Sequence, residues 1–119
     1  MKIFSYTLAL FVGVGLMATA VAQDPVKVSP NIYKVLLDND QVRVLDIHLQ
    51  PGDKSPMHSH PNSVVYTVSG GTVRFTAEDG KTNEATLKPG ECQWRPAEKH
   101  EPQNVGKTEV HAIQIELKH

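Results

Sequence analysis

Turn signals interrupt this sequence about every ten residues, and no stretch between them carries the sustained 3.6-residue apolar period of a packed helix. Asp38-Asn39-Asp40, Pro51-Gly52, Gly70-Gly71, Asp79-Gly80 and Pro89-Gly90 divide the chain. Strand-length pieces fall between them, at residues 32–37, 42–49, 64–68, 72–77, 83–87, 91–95 and 110–117. Successive side chains of an extended strand point to opposite faces, so apolar residues at alternate positions mark a half-buried strand. Arg43, Leu45, Ile47 and Leu49 share one face; so do Val73, Phe75 and Ala77. His111, Ile113, Ile115 and Leu117 share a third, which the pattern reads as inward. Asp79-Gly80 is a hairpin signal. Seven or eight short strands of this kind predict an all-β sandwich or barrel.

The N-terminus reads as an address rather than as part of the fold. Met1-Lys2 is followed by an apolar run to Met17 and then by Ala18-Thr19-Ala20-Val21-Ala22. Ala20-x-Ala22 is a small-residue cleavage pattern, so residues 1–22 are expected to be a signal peptide removed after Ala22. The run is shorter than the roughly 20 residues that span a bilayer, so no stable membrane anchor is expected to remain. The expected destination is the periplasm or the exterior. Residues 23–31 read as an extended lead-in, and residues 32–118 as the single domain. About a hundred residues bury one modest core.

Composition removes several function classes. Twelve Lys+Arg stand against 13 Asp+Glu, so there is no basic field for nucleic acid. One cysteine, Cys92, allows neither an internal disulfide nor a cysteine-rich zinc site, and reads as a small buried hydrophobe in a strand. No phosphate-cradling glycine loop and no Gly-x-Ser-x-Gly is present.

The informative segment is Gly52-Asp53-Lys54-Ser55-Pro56-Met57-His58-Ser59-His60-Pro61. In an extended chain His58 and His60 project together, with Cα atoms about 6.5–7 Å apart. Two imidazoles at that spacing can converge on one ion. His100, in Pro96-Ala97-Glu98-Lys99-His100, is the natural third ligand. By itself His-x-His is more commonly a pair of surface histidines.

The wider spacing resembles the cupin family. Gly52 precedes His58 by six residues, Gly70-Gly71 follows His60, and His100 precedes Asn104 by four. The resemblance covers residues 52–104, extended by flanking strands to about 32–118. It implies a cupin-type β-barrel, also called a double-stranded β-helix or jelly-roll, with His58, His60 and His100 on the family's metal-binding histidines. Two departures stand out. The family's acidic ligand falls where this chain has Val64, and the Pro-x-Gly turn reads Pro96-Ala97-Glu98. The remaining three-histidine set resembles the iron-dependent thiol and diketone-cleaving dioxygenases of the superfamily. More narrowly, Val64-Val65-Tyr66-Thr67-Val68-Ser69-Gly70-Gly71 and Trp94-Arg95-Pro96 look like small single-domain cupins associated with beta-alanine degradation. The family also implies a homodimer, which would hide the exposed edges of so small a barrel.

Three neutral imidazoles leave a divalent ion its full charge, with positions open for water, substrate or oxygen. The ion class is Fe(II), Cu, Ni, Mn or Zn, because nitrogen ligands disfavour Mg and Ca. An anionic small molecule is the expected partner. Tyr66 and Arg95 are pocket candidates: Tyr66 packs in the core or reaches the metal, and Arg95 faces solvent or receives a substrate carboxylate. Trp94 reads first as core and second as a pocket wall. His111 reads as a satisfied core histidine or as a neighbour of the site. Gln93 and Gln103 could support the ligands, and Asn104 reads as structural. His48 and His119 read as surface. Three functions remain open: a metal-dependent oxygenase or other oxidoreductase, a metal- or ligand-binding protein without turnover, and a partner-binding barrel with vestigial histidines.

Overall fold

The computed structural model describes residues 23–119; the expected signal peptide lies outside the described residues. Among the described residues, one short helix, α1 (Pro25–Val28), precedes nine strands. These are β1 (Tyr33–Asp38), β2 (Val42–Leu49), β3 (His58–His60), β4 (Ser63–Ser69), β5 (Gly71–Ala77), β6 (Thr82–Leu87), β7 (Cys92–Arg95), β8 (Glu98–Asn104) and β9 (Val110–Leu117). The strands form two antiparallel sheets, in the orders β1-β2-β9-β4-β7 and β3-β8-β5-β6. Non-consecutive strands lie side by side in both sheets, as in a jelly-roll. The all-β expectation therefore holds. No described helix is long and apolar enough to cross a membrane.

The apolar core is small. Ile32, Tyr33, Leu45, Leu49, Val73 and Val110 are buried together, with Ile47, Phe75 and Leu87 packed against them. Most other buried positions are polar: Ser29, Ser55, His58, His60, Ser63, Thr67, His100, Asn104, Gln114 and Glu116. Such groups stay inside only when they are hydrogen-bonded or hold a ligand. Two glycines set the frame of the site. Gly52 turns the chain from β2 toward β3 at φ +87°, a conformation that L side chains rarely adopt. At Gly70 a Cβ would lie 2.0 Å from the Leu87 carbonyl oxygen, so only glycine lets β4 pass β6.

Several expectations are corrected. Residues 23–31 are not extended: Asp24 caps α1 by accepting from the Val26 N–H at 3.0 Å, and Pro25 at the first turn needs no donor. The strands β3 and β8, which carry the histidines, were not legible as strands. In β9 the inward face is Val110, Ala112, Gln114 and Glu116, so His111, Ile113, Ile115 and Leu117 point out. The apolar parity misled because the interior here is partly polar. Cys92 is exposed. Trp94 and Tyr66 are 56% and 44% exposed, so neither fills the core and Tyr66 does not reach the histidines.

Candidate metal centre

Strand pairing brings the three histidines together. His58 lies directly opposite His100 across β3 and β8, and His60 follows two residues on, on the same face. The ring centroids are 4.8 Å (His58–His60), 5.0 Å (His58–His100) and 5.2 Å (His60–His100) apart. All three residues are buried, and one ring nitrogen from each lies within 4.8 Å of the others. They can contract onto one ion at about 2.0–2.1 Å per bond.

Hydrogen bonds fix which nitrogens face the centre. His58 Nδ1 lies 2.9 Å from the Pro56 carbonyl oxygen, which only accepts, so Nδ1 carries the proton and Nε2 keeps its lone pair. The Tyr33 phenol donates to that Nε2 at 3.1 Å. His60 Nδ1 donates to Glu116 Oε2 at 2.7 Å, and its Nε2 is buried with no partner. His100 stacks on Phe75, and its Nδ1 is buried without a hydrogen bond, 3.3 Å from Glu98 Oε1 at an unfavourable angle. Burial, and then the nearby His60, push His58 down to about 4; burial also lowers His100. His58 therefore remains unprotonated well below neutrality, as metal binding requires, and burial biases His100 the same way.

Two carboxylates that sequence reasoning missed stand behind these rings. Glu116 holds His60 and also accepts from Arg43 Nε at 2.8 Å. Arg43 in turn forks onto Asp24 through Nη1 and Nη2 at 3.1 and 3.0 Å, which ties α1 to the site. Burial alone would raise Glu116, but the bonds from His60 and Arg43 outweigh it and hold the carboxyl below its usual range. Burial likewise opposes ionisation of Glu98, and His100 and Arg95 bring it down to about 2. Tyr33 was also missed. No local spacing announces it, because its partner lies 25 residues away.

A cavity of about 60 Å³ adjoins the histidines at Tyr33 and His100, lined mainly by Ile47, Leu49, Val65, Val73, Phe75 and Leu87. Gln93, Gln114, Arg95 and Glu98 supply its polar wall. Phe75, Arg95, Glu98 and His100 also line an open groove at the surface, so they stand between solvent and interior. Arg95 thus belongs to the pocket. Its guanidinium is already engaged by Glu98, through Nε at 2.9 Å and Nη2 at 3.0 Å, and lies over the Phe75 ring. The inward side chain near the family's acidic position is Val65, not Val64, which pairs with exposed Trp94. Gln103 is absent from the cavity wall. Asn104 is structural as expected: Nδ2 donates to the Leu49 and Thr108 carbonyls and Oδ1 accepts from Gly106 N–H.

The histidines fit a metal ion on their own chemistry: three buried neutral nitrogens, one of them orphaned toward the centre. Comparison with known proteins gives the family. Residues 45–116 match the cupin domain. A cupin domain from Bordetella pertussis is 28% identical, with a TM-score of 0.68 over 74% of this chain and 93% of that one. An RmlC-like cupin with a double-stranded β-helix fold from Methanocaldococcus jannaschii shares 15% identity and a TM-score of 0.58, covering 98% of this chain and 90% of that one. The polyketide cyclase RemF from Streptomyces resistomycificus shares 19% identity and a TM-score of 0.54, covering 73% of this chain and 64% of RemF. No curated protein matches the sequence, and nothing in these matches bears on beta-alanine degradation. The sequence match, the two-sheet topology and the histidine register agree, and the chain belongs to the cupin family.

Proposed function

We propose that this chain holds one divalent transition ion on His58, His60 and His100 and presents it to a small anionic molecule entering past Arg95 and Glu98. The orphaned, buried Nε2 of His60 carries the reading. A nitrogen left without a partner inside a protein costs free energy unless something binds it. Glu116 keeps the proton on the opposite nitrogen, so a cation meets a lone pair rather than an N–H. When bound, the ion would supply a Lewis acid with open positions. The surrounding apolar wall excludes water. Gln93 and Gln114 offer donors that orient a substrate oxygen, although Gln114 already donates to Ser63 Oγ at 2.9 Å.

Turnover is proposed as oxidoreduction of the dioxygenase type. Binding without turnover is favoured by one observation: the only cation in the cavity wall, Arg95, is neutralised by Glu98. Export to the periplasm, with cleavage after Ala22, belongs to the same proposal and rests on the N-terminal pattern.

Elemental analysis of the untagged protein beside a His58→Ala/His60→Ala variant tests the site. Close to one equivalent of transition metal, lost in the variant, supports it. No metal, and no uptake of Fe, Cu, Ni, Mn or Zn, overturns it. Oxygen consumption with small thiols, diketones and amino acids then separates the oxidoreductase from the binding protein.

A further inference from the structure

A second group of metal-ligating side chains sits on the outer face of the larger sheet, back to back with the cavity. His48 and His111 are direct cross-strand partners in β2 and β9, and Asp46 precedes His48 by two residues on the same face. The two imidazoles stack at 4.0 Å with only 16° between their planes. Both Nε2 atoms aim at one carboxylate: His111 Nε2 lies 2.6 Å from Asp46 Oδ1, and His48 Nε2 lies 3.2 Å from Asp46 Oδ2. Behind His48, Nδ1 lies 3.1 Å from Glu109 Oε2, and Gln50 Nε2 donates to that same oxygen at 2.6 Å.

We infer that Asp46, His48 and His111 form a second site, for a divalent transition ion such as zinc, with Glu109 as the positioning residue for His48. The donor atoms already lie near one another, and the stacked rings must tilt for both Nε2 lone pairs to meet one ion. Four ligands at about 2.0–2.1 Å around zinc stand about 3.3 Å from one another. The two nitrogen–oxygen separations are 2.6 and 3.2 Å, so the His111 pair opens by about 0.7 Å and the His48 pair by about 0.1 Å. Hydrogen-bond chemistry points the same way. His48 lies between two carboxylates, which only accept. A neutral His48 that donates Nδ1–H to Glu109 turns the lone pair of Nε2 toward Asp46. Lone pair and carboxylate repel unless a proton or a cation stands between them, and zinc supplies that cation. The carboxylate–histidine–metal order is the arrangement in which an outer carboxylate fixes the tautomer of a ligand. The scaffold is rigid, because β2 and β9 pair continuously from Val42–Leu117 to Leu49–Val110. Three protein ligands leave a fourth position open to solvent.

Zinc binding by equilibrium dialysis of the untagged, chelator-stripped protein tests the inference. The wild type is compared with His48→Gln/His111→Gln and with Glu109→Gln, and circular dichroism confirms their folds. One equivalent fewer in the double variant than in the wild type supports the outer site, whether the wild type binds two equivalents or one. The difference is independent of the interior histidines, so a failed interior site would leave it readable. Glu109→Gln should weaken the outer equivalent by about tenfold, the lower end for a lost outer partner. Imidazole ¹⁵N shifts of His48 and His111 should move on zinc addition. Equal stoichiometry in wild type and double variant, with those shifts unmoved, overturns the proposal. So does a wild type that binds no zinc. Should the double variant not fold, the wild-type imidazole shifts decide alone.

Discussion

Glu116→Gln is the substitution that most directly tests how the histidine centre is built. Glu116 is 3% exposed and serves two donors, His60 Nδ1 at 2.7 Å and Arg43 Nε at 2.8 Å. A glutamine of the same shape has one accepting oxygen and one donating nitrogen, so it satisfies only one of them. The charged guanidinium takes the oxygen, because a charge-assisted bond is the stronger. The amide nitrogen then faces His60 Nδ1, and His60 must move its proton to Nε2 to accept from it. Nε2–H would point at the metal position. An ion must then displace that proton at the expense of the new hydrogen bond, about 1–2 kcal/mol. With the loss of carboxylate polarisation, affinity should fall about 10- to 100-fold. Competition of zinc against a chromophoric chelator measures the affinity, and imidazole ¹⁵N shifts report the tautomer in the metal-free variant. Affinity within a factor of about three of wild type, with Nδ1–H retained, would refute the account, since about 0.7 kcal/mol is too little for a tautomer switch.

Tyr33→Phe should separate metal affinity from stability. Removing the phenol deletes a bond to His58 Nε2, lowering metal-free stability by about 1 kcal/mol while freeing that nitrogen, so zinc should bind about fivefold more tightly. Weaker binding would instead make the phenol part of the ligand set. Acid should destabilise the metal-free protein before its carboxylates protonate. His58 drops from 6.5 to about 4 on folding, so the unfolded chain binds the extra proton between those values. Stability is then full above pH 6.5 and falls by roughly 3 kcal/mol as pH drops to 4, read from urea midpoints. Flat midpoints from pH 7 to 5 would contradict the burial argument. Val65→Glu, which places a carboxylate in the half-buried cavity wall, should cost about 1–3 kcal/mol in metal-free protein and recover on adding zinc. Val64→Glu, on the outer face, should change stability by about 0.5 kcal/mol. The reverse order of the two unfolding midpoints would show the facing of β4 to be misassigned.

What could be read in the sequence follows from the range of each interaction. Short-range signals were legible: the bounds of β2 and β9, the turns at Gly52, Gly80 and Gly90, and the parity that projects His58 and His60 together. The pairing of His58 with His100 was legible only through family spacing. The sheet's inner face was misread in β9, since Gln114 and Glu116 turn inward while Ile113 and Ile115 turn out. A parity rule assumes an apolar interior, and here the interior holds histidines that need a carboxylate. The roles of Tyr33, Glu98 and Glu116 depend on pairings that no local pattern encodes. Glu116 sits 56 residues from His60. The Asp46–His48–His111 group was hidden by the same parity, which placed His111 indoors.

The structure sharpens the expectation of an anionic ligand, which already rests on the full charge of an ion held by three neutral imidazoles. In the sequence Arg95 reads either as solvent-facing or as a receptor for a carboxylate. In the fold it is bound by Glu98 and rests on Phe75, so displacing Glu98 would strand a carboxylate beside His100. Arg43 is similarly held between Asp24 and Glu116. The two guanidiniums and three carboxylates nearest the histidines leave one negative charge in excess. A divalent ion on three neutral nitrogens exceeds that by one positive charge, in a region where water is excluded and Coulomb interactions are strong. If the proposed ion is bound, the ion rather than an arginine would select an anion, and it would favour a monoanion over a dianion. Selection of this kind disappears when the metal is removed, whereas selection by Arg95 would survive it. The cavity of about 60 Å³ would set the second limit: only a few atoms of such a ligand would fit inside, with the rest in the groove past Phe75 and Arg95.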